Sequence, residues 1–142
     1  MIETTQIIEP WLYATLSEDP TLAGLVGDRI FGTMSPGMLQ TPYVVFLLTS
    51  PRDIVGVGGT RISTDNLYVV KGVSQTNSWD VLTPIANRID QLIHRPGSTM
   101  LGDSGGSLTC IREMTHQMPE IADGLPYRHL GGVYRIRASA DD

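Results

Sequence analysis

Residues 43 to 49 read Tyr-Val-Val-Phe-Leu-Leu-Thr, a run rich in β-branched and aromatic side chains. A run of this kind is too short for a buried helix and carries no polar alternation. It predicts a strand buried on both faces. Its six apolar residues, Tyr43 to Leu48, form the longest such run in the chain, far short of the roughly 20 needed to cross a bilayer. Strand character returns at Ile62 to Ser74 through Leu67, Tyr68, Val69, Val70 and Val73. Between the two lies Pro51-Arg-Asp-Ile-Val-Gly-Val-Gly-Gly-Thr-Arg61. The reading is a pair of antiparallel strands joined by a long, glycine-rich hairpin arm, about residues 51 to 61.

Helical spacing frames this pair. Ile7, Ile8, Trp11, Leu12 and Leu16 fall mostly three or four apart, predicting a helix over Gln6 to Leu16, with Pro10 tolerable only in its first turn. Asp19-Pro20 starts a second short helix, closed by Gly27, and Arg29-Ile30-Phe31 is a candidate brief strand. Ser78 is a candidate N-cap for a helix whose apolar stripe is Trp79, Leu82, Ala86, Ile89 and Ile93. Pro84 either kinks that helix or marks its true start.

Ser107 to Met118 alternates, with Leu108, Cys110, Met114 and Met118 on one predicted face. Tyr134, Ile136 and Ala138 oppose Arg135 and Arg137 in a last strand, and residues 139 to 142 read as a frayed tail. The expected fold is α+β in one domain spanning residues 1–142: an antiparallel sheet of about four strands with helices packed on one face. At 142 residues the chain is long enough to bury a core without staples.

Catalytic readings find little support. Gly102-Asp-Ser-Gly-Gly106 spells the nucleophile signature of chymotrypsin-like proteases. That chemistry needs a histidine base and a buried aspartate, and the fold that carries it places both upstream of the serine. Only His94 precedes Ser104, ten residues away, and the 103 preceding residues cannot build two β-barrels. The segment reads as a turn, and a small serine hydrolase is the remote alternative. Gly56-Val-Gly-Gly-Thr60 lacks both the lysine of a phosphate loop and a following helix. The single Cys110 excludes an intramolecular disulfide and a cysteine-built zinc site, and reads as a small core residue. His116 and His129 suit adjacent strands but lack a third ligand. No catalytic residue, metal or cofactor is assigned.

Charge points the same way. A net charge of −5 argues against a nucleic-acid binder, and acids near the start occupy positions where a secretory signal carries lysine or arginine. A soluble protein made in a cytoplasm is expected. The arm remains odd, because Ile54, Val55 and Val57 stand among glycines in an exposed loop. Glycine raises the entropic cost of ordering that loop, and water gives its apolar side chains nothing in return. A covering partner would explain both, so these three residues are the candidate partner interface.

The layout resembles the tail-terminator, or tail-completion, proteins of long-tailed phages. The carrying residues are Pro20-Thr-Leu-Ala-Gly-Leu-Val-Gly-Asp-Arg-Ile30, similar to that family's small helix and GxRI lead-in, and Thr41-Pro-Tyr-Val-Val-Phe46, similar to its LPYVVY strand. The helix after Ser78 and the strand Gly132-Val-Tyr-Arg-Ile-Arg137 match in order and spacing. Pro84 and the glycine content of the arm depart from the pattern. The resemblance implies a virion protein, assembled in the host cytoplasm, that forms a ring, commonly six-fold, on the head-proximal end of the tail tube. There it would stop tube polymerisation and offer a surface to the head connector. Its implied partners are itself, the major tail tube protein and the neck connector, with genomic DNA passing through the lumen unbound. A head-completion or connector protein of the neck is the alternative.

Overall fold

The computed structural model describes residues 5–32, 40–59, 61–101 and 106–139. Helix α1 (Thr5–Ser17) turns Ile7, Ile8, Leu12 and Leu16 inward. Pro10 is the sixth residue of α1, beyond the first turn to which the sequence reading confined it. The helix continues through it because that stripe stays packed on the core, and tertiary burial outweighs the lost backbone bond.

Helix α2 (Pro20–Val26) has the ends the sequence dictates. Asp19 accepts the Leu22 amide at 2.8 Å, Pro20 takes the first position, and Gly27 closes the helix at a φ of 63°. Asp19 also receives Arg88 through both carboxylate oxygens, at 2.6 and 2.9 Å. This fork holds the Asp19 carboxyl well below the usual carboxylate range, at about 2.

Arg88 lies on α3 (Leu82–Ile93), whose buried stripe is Leu82, Ile85, Ile89 and Ile93. Ser78 is not the N-cap, since the helix begins at Leu82 and the Ser78 hydroxyl instead accepts the Asp80 amide at 3.1 Å. Pro84 therefore falls in the first turn, where its missing N–H costs little. Trp79 packs on the core from outside the helix, and Ile85 rather than Ala86 completes the buried face.

Six strands form one curled sheet, not four: β1 (Ile30–Gly32), β2 (Tyr43–Val55), β3 (Arg61–Ser74), β4 (Arg95–Leu101), β5 (Gly106–Ala122) and β6 (Leu125–Ser139). Their order is β1-β2-β3-β6-β5-β4. The β1–β2 pair is parallel and the rest antiparallel, so the sheet is mixed. Strand β4 follows directly on α3, where Arg95-Pro96-Gly97 reads as a stop. As an edge strand with an irregular register between Arg95 and Thr99, it accommodates that proline and glycine.

The three helices cover one face. Their apolar stripes meet Val44, Phe46, Tyr68, Val70, Leu108, Cys110, Tyr134, Ile136 and Ala138 in a single core. Each buried phenol finds a carboxylate, Tyr134 donating to Asp90 at 2.9 Å and Tyr68 to Glu9 at 3.4 Å. The two sequence blocks that carry the family resemblance touch. Arg29 Nε donates to the Pro42 carbonyl at 2.9 Å, and the Arg29 carbonyl accepts the Val44 amide at 2.9 Å.

Candidate assembly interface

Strand lengths leave two hairpins projecting from opposite ends of the sheet. Among the described residues, pairing of β3 with β6 ends at Thr64↔Ala138, while β2 and β3 stay paired to Val55↔Arg61. What the sequence presents as a loose arm is thus a two-stranded ribbon to residue 55, with Gly58 and Gly59 at positive φ in the turn. At the other end β3 and β6 part after Ser74↔Arg128, while β5 and β6 stay paired to Ala122↔Leu125. Asp123 and Gly124, both at positive φ, make that tip.

Both projections expose apolar side chains. On the β2–β3 arm Ile54 is half-buried, Val55 is 59% exposed, and Val57 and Ile62 stand in solvent. On the β5–β6 tip Ile121 is 79% exposed and Leu125 is also exposed. Met114 and Met118 are exposed as well, contrary to the face predicted for them. A register shift between Arg112 and Met114 moves them off the face that buries Leu108 and Cys110.

The sheet margins open at the same places. Among the described residues β1 pairs only with Val44 to Phe46 of β2, and β4 reaches no further along β5 than Cys110. Just past that point the Arg112 amide is taken by His94 Nδ1 at 3.0 Å. Pro51 and Pro119 interrupt the donor rows of the remaining margins. Strand addition there is blunted, which shifts the weight of any association onto side chains at the hairpin ends.

A cluster of arginines sits at the root of the arm, which sequence reasoning did not identify. Asp65 is 1% exposed and meets Arg135 at 2.6 Å, Arg52 at 3.3 Å and Arg137 at 3.6 Å. Arg135 is shared with Glu113, and the Glu113 and Asp65 carboxylates together raise its pKa further. Register explains the meeting, since Asp65 stands opposite Arg52 on one side and Arg137 on the other. The one sequence signal was the Arg135/Arg137 alternation. Beside Arg137 lies a surface hollow of about 170 Å³ that Ser63, Ser98, Ser107, Thr109 and Ser139 help to line.

On the helix-free face the β5–β6 hairpin brings His116 and His129 onto adjacent strands near the buried Lys71. His129 Nε2 and Glu120 Oε1 are 3.1 Å apart, while His116 Nε2 and His129 Nδ1 are buried without a partner. Burial lowers both imidazole pKa values, with Lys71 adding to the effect. No group among the described residues is arranged to hold a metal. A second hollow of about 410 Å³, near Asp90, His94 and Arg112, has no serine or cysteine among its described lining. Cys110 is buried and its thiol is pushed up to about 12, the reverse of a reactive cysteine. Ser104, with the turn read at Gly102 to Gly106, lies outside the described residues, which resume at Gly106.

No protein-family model matches the chain, and no curated protein does. Among solved structures, a chain in the virion of a native gene transfer agent particle has a similar fold. The two are 18% identical, with a TM-score of 0.64, over 90% of this chain and 91% of that one.

Proposed function

We propose that this chain is a structural virion protein that forms a ring on the head-proximal end of a phage-type tail tube. In that position it stops further addition of tube subunits and provides the surface to which the head is joined. The observation that carries the reading is the fold likeness to a virion chain over nine-tenths of both molecules. Two further features support it. The Arg29 and Pro42 blocks, on which the tail-terminator resemblance rests, form one contacting unit. The projections are unlike each other and lie at opposite ends, and a ring requires one heterologous contact repeated until it closes. Ile54, Val55 and Val57 are the proposed contact residues of the arm, facing a neighbouring subunit or the tube. The net charge of −5 suits a lumen that DNA traverses without sticking.

The test is growth of tail tubes from the cognate tube protein, with lengths measured by electron microscopy. Added protein is expected to bind one tube end and halt elongation there. Binding only to portal-bearing heads would favour the neck-connector reading, and no binding to either would overturn both.

A further inference from the structure

We infer that the arginine cluster at the root of the β2–β3 arm is the acceptor site for the acidic β5–β6 tip of a second copy of this chain. The inference rests on the ring reading above and names the contact that would close it.

The cluster has more donors than its own carboxylates can use. Asp65 is filled at close range by Arg135, leaving Arg52 and Arg137 at 3.3 and 3.6 Å. These two guanidinium side chains are 72% and 59% exposed, so most of their N–H donors face outward. Buried Asp65 holds them from the strands on either side of it, and Arg137 also lines the neighbouring hollow with its several hydroxyls. Paired guanidiniums with adjacent hydroxyls match a carboxylate, and preorganisation lowers the entropy lost on engaging one.

The opposite end of the molecule presents the complement. Asp123 is exposed at the apex of the β5–β6 turn, and near it Glu120, which meets His129 through Oε1, is 45% exposed. Ile121 and Leu125 are exposed on the same hairpin end as the acids, and Val55 and Ile62 on the same arm as Arg52. From Leu125 to Arg137 the strand runs roughly 40 Å at the usual rise per residue, so tip and cluster of one copy cannot meet. A tip-to-root contact between copies is head-to-tail, the heterologous type that generates rings.

Charge exchange tests this. One variant, Glu120→Arg with Asp123→Arg, carries a basic tip and a basic root. A second, Arg52→Glu with Arg137→Glu, carries an acidic tip and an acidic root. Sedimentation velocity should show each alone losing at least tenfold in self-association, while circular dichroism confirms that both are folded. Mixed in equal amounts, they should assemble alternately, giving rings with equal numbers of each. Assembly of either variant alone like the wild type would overturn the contact and leave the ring reading standing. A wild type that forms no ring, in solution or on tubes, would remove both.

Because the acidic-root variant places new carboxylates near Asp65, a disulfide provides a second test. Cys110 is buried, so Asp123→Cys with Arg52→Cys in one chain should oxidise to a ladder ending in a closed ring. Dimers from Asp123→Cys alone would indicate tip-to-tip pairing. Wild-type-like assembly without any cross-link would place the contact elsewhere. Cross-linking to a tail or neck protein instead would identify a different occupant.

Discussion

The centre of the sheet and its projecting hairpins are made from the same strands under opposite conditions. At the centre Val70 lies in β3 between β2 and β6, with helices above it, and is fully buried. Val57, beyond the end of β2, has no third strand beside it among the described residues and is fully exposed. Hydrophobicity therefore has two uses in this chain. Where strands lie under α1, α2 and α3, apolar side chains are removed from water on folding and stabilise the monomer. Where strands outrun the helices, similar side chains contribute almost nothing until a partner covers them. A single chain's stability and its assembly should accordingly be separable by mutation.

The strongest separation is expected at the centre. Ile89→Ala removes a fully buried side chain from the α3 stripe and should cost about 2–5 kcal/mol, through lost transfer energy plus a cavity. Chemical denaturation measures this directly, and an unmoved midpoint would mean that the stripe does not pack as described. Gly131→Ala should come next, at about 1–3 kcal/mol. A Cβ there would lie 2.1 Å from the Val70 carbonyl oxygen and 2.5 Å from Lys71 Cα, so backbone must shift. Asp19→Ala should cost about 1 kcal/mol as a lost helix cap. That loss has a pH signature. The Asp19 pKa falls on folding from 3.8 to about 2, so its contribution is fully present above about 4 and disappears as pH drops toward 2. The difference between wild type and Asp19→Ala should shrink over that window, and a pH-independent difference would contradict the Arg88 pairing.

The smallest effect on stability is expected on the arm. Ile54, Val55 and Val57 changed together to serine should move the unfolding free energy by roughly 0.5 kcal/mol or less per site. Under the proposed function, the same variant should cap tubes poorly and leave tails of uncontrolled length. Wild-type tail length with this variant would show that the arm is not part of the interface.

What could be read from the sequence follows the same division. The Asp19-Pro20 start and Gly27 stop of α2, the buried run beginning at Tyr43 and most of the α3 stripe are local signals, and the structure carries them. Strand β4 was hidden because its side chains are mostly exposed and its Pro96-Gly97 resembles a terminator. The shift near Arg112 has no local signal, so Met114 and Met118 read as sharing the face of Leu108 and Cys110 when they do not. One local signal was present but unread: Asp123-Gly124, a strong hairpin dipeptide. The meeting of Arg52, Asp65, Arg135 and Arg137 depends on register across β2, β3 and β6, which spacing along a single chain does not specify.

Amide hydrogen exchange, on the free protein and on the proposed ring, reads centre and projections in one measurement. In the free chain, amides of residues 52–59 and 120–125 should exchange far faster than those of Tyr68 to Val73, since unsupported ribbons open locally at low cost. On assembly both projections should gain protection while the centre stays unchanged. Protection confined to the helices or the central strands, with both hairpin ends as fast as in the free protein, would contradict the account.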